Sequence, residues 1–279
     1  NSRWKKAKQE SFSKIPSSPV AYWIDKNIFK AFAEAPRLES FADVKVGLQT
    51  GNNDKFLRLW FEVEFHKIRL NQYDDTAYWI PHNKAGDFRK WYGNGVYIVN
   101  WKDDGKEIKE CAGSRPQNTR YYFKEGFSWS DVSSGAMSVR YWESGCIFDT
   151  CAPTMFPKNK SWYLLGLLNT KIGQYIMDIM SPTIHYTAGS MMKFPVWTGN
   201  NQELVEMLVE QNVILAKEDW DEKETSWGFK KHPLLQQRDN NISENWEILD
   251  KKREQRFNTV KNNEMLLNKY FIDLYGMQE

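Results

Sequence analysis

The chain has 279 residues, 41% hydrophobic and 27% charged, with a formal net charge of +2. That balance supplies a core and excludes a disordered polyampholyte. Three cysteines, Cys111, Cys146 and Cys151, are too few for a disulfide framework and point to a reducing, cytoplasmic setting.

Residues 1–40 read as an entry segment. Its first residues, NSRWKKAKQE, carry no apolar stretch of the secretory kind, and they start without an initiator Met, so a piece of a larger protein is expected. Ser13 to Pro19 is Ser/Pro-rich and extended, and Asp25 to Ala35 is a short helix stopped by Pro36. Residues 41–198 read as a domain of short strands and turns, with a helix over Ser161–Met180. Val44, Val46 and Leu48 alternate with polar residues or Gly, as do Leu59, Phe61, Val63 and Phe65, so both runs are expected as strands. Between them lies the polar loop Gln49-Thr50-Gly51-Asn52-Asn53-Asp54-Lys55. Val96 to Trp101 is a further strand, Lys102 to Gly105 a turn, and Lys106 to Cys111 its returning partner.

In the helix over Ser161–Met180, the apolar stripe runs from Leu164 to Ile179 and Ser181-Pro182 ends it. Its Trp162 to Leu168 stretch is the longest apolar run and far too short for a bilayer. Residues 199–279 read as a helical spacer. One helix starts near Asn201, with Leu204, Val205, Leu208, Val209, Val213 and Leu215 on one side. Trp220 to Arg238 is an irregular connection. A long helix then begins near Asn241, where Asn241 and Glu244 have capping-box spacing. Its seam is expected at Trp246, Leu249, Arg253, Phe257, Val260, Leu267, Phe271 and Leu274. The fold class is therefore α+β, a mixed or antiparallel β-rich domain over 41–198 followed by a helical hairpin.

Charge is uneven along the chain. Residues 1–40 carry 8 basic and 4 acidic side chains, residues 41–198 carry 19 and 16, and residues 199–279 carry 11 and 16. The basic excess in the first two thirds points toward a polyanion. Thirteen Trp, 13 Tyr and 16 Phe exceed what a core of this size needs and leave aromatics for a binding surface.

Most catalytic signatures are absent from the sequence. There is no Gly-rich phosphate loop, no Gly-x-Ser-x-Gly elbow, no metal-ligand spacing among His66, His82, His185, His232 and the cysteines, and no Asn-Pro-Pro-Tyr or Asp-Pro-Pro-Tyr tetrapeptide. Asp87 with Glu107-Ile108-Lys109 imitates the acid and Glu-x-Lys of metal-dependent nucleases, though a solvated face explains the triplet as well. The stronger constellation is Gly113 to Lys124 with Phe127 to Gly135. Arg115, Asn118 and Arg120 have the bidentate groups that read base edges, and Ser114, Tyr121, Lys124, Ser130, Ser133 and Ser134 can bind phosphate or buttress the loop. Lys84, Arg89 and Lys90, which flank Trp91 and Tyr92, add cations suited to phosphate. Thr50, Asn52, Asn53 and Lys55 are placed to meet a phosphate backbone, to buttress neighbouring loops, or simply to close their own turn.

Three blocks carry a family resemblance: VKVGLQTGNNDKFLRLWFEV, GSRPQNTRYYFKEGFSWSDVSSGAMSVRYWESGCIFD and WYLLGLLNTKIGQYIMDIMSPTIHYTAGSMMKFPV. They resemble the target-recognition region of adenine-specific DNA methyltransferases, most closely those of the PglX family of BREX phage defence. More broadly, they resemble type IIG restriction-modification enzymes with TaqI-like specificity domains. ESFSKIPSSPVAYWID and FNTVKNNEMLLNKYFIDLYGMQE look like the same family, so the resemblance covers nearly the whole chain. It implies double-stranded DNA as a partner, an upstream methyltransferase domain in the same polypeptide, and other defence-system subunits as further partners. It also implies S-adenosylmethionine for the parent enzyme, with no cofactor held and no catalysis performed by this part alone. A protein–protein module of a defence complex is the alternative from another class, and a metal-dependent nuclease a third. No membrane partner is expected.

Overall fold

The computed structural model describes residues 24–70, 76–235 and 241–277. The extended stretch expected at Ser13 to Pro19 and the first block of the leading segment lie outside the described residues. Helix α1 (Lys26–Glu34) opens as the sequence requires: the Asp25 carboxylate accepts from the Asn27 N–H, and the chain leaves the helix at Ala35 before Pro36. Strand β1 (Ala42–Lys45) and the short strand β2 (Leu48–Gln49) follow.

Three sheets organise the middle of the chain. β1, β10 (Thr154–Pro157), β7 (Gly126–Trp129) and β8 (Val139–Trp142) form an antiparallel sheet in that order. β3 (Leu57–Leu59), β5 (Tyr97–Asn100), β4 (Trp79–Asn83) and β9 (Ile147–Phe148) form a mixed sheet, antiparallel except for β4 with β9. β2 and β6 (Arg115–Pro116) make a two-stranded ribbon with Gln49 opposite Arg115. Antiparallel and mixed sheets with helices segregated toward the C-terminal end make the fold α+β, as expected.

Several local expectations are corrected. Leu59 to Phe65 does not continue as a strand: β3 ends at Leu59 and two 3-10 turns follow, leaving Phe61 and Phe65 exposed. Alternation is present, but Trp60 and Val63 pack from the turns against Ile68, Trp79 and Ile98. Lys106 to Cys111 does not return beside β5. Asp103, Asp104 and Gly105 take left-handed backbone angles, and the chain then turns helically to Glu110 (α3, Lys102–Glu110). Asp and Gly tolerate that region, and a Cβ on Gly105 would lie 2.6 Å from the Trp101 ring. The helix expected over Ser161–Met180 is two helices, α4 (Tyr163–Leu168) and α5 (Lys171–Met180). Thr170 breaks it by becoming the N-cap of α5, its hydroxyl accepting from the Gly173 N–H.

Helix α6 (Ala188–Met192) leads to the long pair, α7 (Gln202–Asp221) and α8 (Ile242–Leu274). Asn241 caps α8 by accepting from the Glu244 N–H at 2.9 Å, as its spacing required. The seam differs from expectation. Leu249, Leu267 and Phe271 are buried, but so are Asn245, Arg256 and Asn263, whereas Trp246 and Phe257 are exposed. The inner positions keep a heptad-like spacing, with polar residues in its middle. Asn263 donates to Gln211 and Asn212 on α7, and Arg253 and Arg256 hold Glu222 just past its end. A polar group satisfied at the interface displaces an apolar one from it.

The main core joins α1, β1, β7, β8 and β10 to α4, α5, α7 and α8, from Ile24 to Tyr275. A second cluster lies around Leu48, Phe56, Ile80, Val99, Tyr122 and Phe148. Among the described residues, no helix is long and apolar enough to cross a membrane.

Candidate nucleic-acid interface

The polar loop after β2 is built to hold itself. Thr50 is 2% exposed and its hydroxyl donates to the Asn53 side-chain oxygen at 2.7 Å. Asn52 caps the single turn α2 (Asn53–Phe56), accepting from the Lys55 N–H at 3.0 Å. Gly51 has a φ of +77°, and a Cβ there would lie 2.7 Å from the Ser114 nitrogen, so this loop is pressed against the turn before β6. Ser114 adds a hydrogen bond to the Gln49 carbonyl. Thr50 is therefore engaged in closing its own loop. Lys55 faces outward and meets Glu107 at 3.0 Å, both side chains more than half exposed.

This loop and the β6 segment present a basic surface. Arg115 is exposed on β6 and forms no ion pair or side-chain hydrogen bond among the described residues. Asn118 takes a left-handed φ of +53° and donates to the Val46 carbonyl, which fixes the bend. Past it, the Tyr121 ring is surrounded by three cations: Arg120 and Lys124 at 5.1 Å each and Lys45 at 5.5 Å. The Tyr121 hydroxyl donates to Asp43 at 2.8 Å, so the ring is an anchored platform and the cations fan outward from it. Lys45 was not among the residues expected from sequence. It lies 75 positions before Arg120, and only the fold brings them to one ring.

The remaining expected contacts lie elsewhere and do other work. Lys84 donates to Asp149 at 2.8 Å, and buried His82 sits 3.1 Å from the same carboxylate oxygen. Burial opposes ionisation of Asp149, but His82, the Cys151 N–H and Lys84 outweigh it and hold the carboxyl well below the usual range. Arg89 pairs with Asp219 of α7 at 2.6 Å and lies over the Trp220 ring, and Lys90 pairs with Glu264 of α8 at 3.1 Å. Trp91 and Tyr92 are buried. Lys84, Arg89 and Lys90, expected as phosphate contacts, each have a carboxylate of this chain within reach and serve as internal ties. Ser130 donates to the Gly86 carbonyl and Ser133 to those of Gly135 and Ala136, while Ser134 is exposed.

Behind this second group lies Arg140, which the sequence gave no reason to select. It is 0% exposed, and its guanidinium reaches the Asp87 and Arg89 carbonyls and the Ser130 and Ser138 hydroxyls at 3.3–3.4 Å. Burial, with the like charge of Arg89, pushes it down to about 10. Arg140 thus fastens the 86–90 loop from beneath. The nuclease look-alike loses its geometry: Glu107 and Lys109 sit on α3 rather than on a hairpin strand, and they turn to Lys55 and Asp104. Among the described residues, no three acidic, His or Cys side chains are grouped to hold a metal.

No protein-family profile matches the chain. Individual relatives do. It is 35% identical over 297 aligned positions to the adenine-specific methyltransferase PglX of Lacticaseibacillus casei (strain Zhang), covering 98% of this chain and 24% of that protein. The adenine-specific methyltransferase BrxX of Escherichia coli O9:H4 (strain HS) is also 35% identical, over 271 positions, covering 93% of this chain and 22% of BrxX. The chain matches one region of the PglX and BrxX adenine-specific methyltransferases. It spans about a quarter of the length of these relatives. In fold it is similar to the type IIL restriction-modification enzyme MmeI, solved in complex with DNA, with a TM-score of 0.52 at 14% identity. That likeness covers 85% of this chain and 33% of the other. The resemblance expected from the three sequence blocks therefore stands.

Proposed function

We propose that this chain is a target-recognition region of an adenine-specific DNA methyltransferase, gripping duplex DNA and selecting the site while the methyl transfer is done elsewhere in the polypeptide. The observation that carries this reading is the cluster of Arg120, Lys124 and Lys45 around an anchored Tyr121, with Arg115 exposed on β6. Guanidinium groups held on short strands and turns suit base edges, and lysines beside them suit phosphates. The PglX and BrxX relatives and the fold likeness to MmeI support it. Residues 41–198 supply the recognition surface in this reading, and residues 199–279 form a spacer whose α8 packs on their core.

A second surface favours a protein partner in addition. Ile242, Trp246 and Phe257 are exposed on one side of α8, and the methyltransferase part of the same polypeptide is the partner we assign to them. S-adenosylmethionine belongs to that part, in the parent enzyme. Fluorescence anisotropy with duplex DNA at rising salt tests the reading. Binding that weakens steeply with salt supports it, and a salt-insensitive interaction or none at 50 mM salt overturns it.

A further inference from the structure

At the β7–β8 sheet, with Glu125 next in the chain to Lys124 of the basic surface, lies a pocket of about 140 Å³. Its wall is aromatic. Phe127 and Trp162 stack at 5.7 Å and 30°, and Tyr141 meets Trp162 edge-on at 4.8 Å. Two charged side chains complete the lining: Glu125, which accepts from the Tyr141 hydroxyl at 2.7 Å, and Lys160, which forms no ion pair among the described residues. Trp162 is fixed from behind, since Glu206 of α7 accepts from both the Ser161 hydroxyl and the Trp162 N–H. A wall set this firmly is a preorganised stacking surface.

We propose that this pocket binds a single nucleotide unit whose base carries an exocyclic amino group. Each part of the lining has one use for such a ligand. Phe127 is buried and backs Trp162, so the half-buried Trp162 ring is the one offered to a planar base, a contact that is sequence-tolerant in itself. The Glu125 carboxylate accepts an amino N–H, as acidic side chains do from cytosine. The Lys160 ammonium takes the phosphate. A purely cationic ligand would leave Lys160 repelling it, and a purely anionic one would meet Glu125. At about 140 Å³ the pocket is smaller than the roughly 300–1,000 Å³ of drug-sized sites, so it holds a base and not an extended cofactor. The nucleotide can be free or can be an unstacked nucleotide of a DNA strand.

The pocket has its own lining, distinct from the cations at Tyr121, and its first test needs no duplex. Saturation-transfer NMR on the whole chain, titrated with dCMP and dTMP, reads it directly. We expect dCMP to bind at least about tenfold more tightly than dTMP, with that preference lost in Glu125→Ala. Lys160→Ala is expected to weaken dCMP about fivefold and to leave deoxycytidine unchanged. Both side chains are exposed, so neither variant threatens the fold; Trp162→Leu is expected to abolish binding of both nucleotides. A second arm compares a duplex carrying a bulged cytidine with the same duplex without it. Tighter binding of the bulged duplex, lost in Trp162→Leu, identifies a DNA strand as the source, and mononucleotide binding without that difference identifies a free nucleotide. Equal affinity for dCMP and dTMP, insensitivity to both charge variants, or no binding in either arm overturns the proposal.

Discussion

Lys90 and Glu264 are 174 positions apart in sequence, and their side chains meet at 3.1 Å. The same carboxylate accepts from the Trp91 indole N–H at 2.8 Å, so one residue of α8 fastens two neighbours in the β-rich part. Arg89 with Asp219, and Glu143 with Lys217, repeat the pattern on α7. The helical pair is thus tied to the sheet by polar clamps at its rim as well as by the shared core.

From this clamp follows the first prediction. Glu264→Ala is expected to destabilise the chain by about 1–3 kcal/mol, since two partly buried donors lose their acceptor. Urea denaturation checks it. Lys90→Ala is expected to lower stability and to leave the salt dependence of DNA binding intact. A salt slope flattened in Lys90→Ala would restore it as a phosphate contact.

Arg115 supplies the sharpest test of base reading. Arg115→Ala in the full-length enzyme is expected to relax or abolish methylation at the native site, because a bidentate pair is worth about 1–3 kcal/mol of discrimination. The melting midpoint is expected to stay put, since Arg115 has no partner among the described residues and Asp131 is engaged by His185 instead. Methylome sequencing beside a melting curve distinguishes the outcomes: an unshifted motif with a lowered midpoint defeats the claim.

The lysines at Tyr121 are expected to behave differently. Lys124→Ala and Lys45→Ala should weaken binding to all duplex sequences alike, each reducing the salt slope by about one unit. Anisotropy titrations on two unrelated duplexes check this. A loss confined to one duplex would move these residues into the base-reading group.

Asp149 sets a pH dependence whose sign follows from its depressed pKa. Its ionised form is favoured in the folded state, so it contributes stability above the unfolded carboxylate value of about 3.9. That contribution is lost as pH falls from about 5 through the range below. Asp149→Asn is expected to cost about 3–5 kcal/mol at neutral pH, since Lys84 loses its buried carboxylate partner. Stability measured in urea from pH 7 to pH 3 should then show a shallower acid loss in the variant. Parallel curves for the two proteins would show that Asp149 is not the group responsible.

Sequence alone determined the helix starts at Asp25 and Asn241, because capping is a local exchange between a side chain and an N–H two or three residues on. It also determined the α+β class and the core strands whose alternation matched a sheet. It did not reveal Thr170 as a break in a continuous apolar stripe, nor that the chain after the turn at Lys102 to Gly105 runs on helically and does not return as a strand, because periodicity reports which face is buried and not how the backbone runs on. The division of the cations was decided only in three dimensions. Lys45, Arg120 and Lys124 gather on one ring, while Lys84, Arg89 and Lys90 find carboxylates far along the chain. A basic side chain looks the same in sequence whether or not a carboxylate waits for it. Whether its charge remains available to a ligand depends on the Coulomb partner that folding brings within a few ångströms.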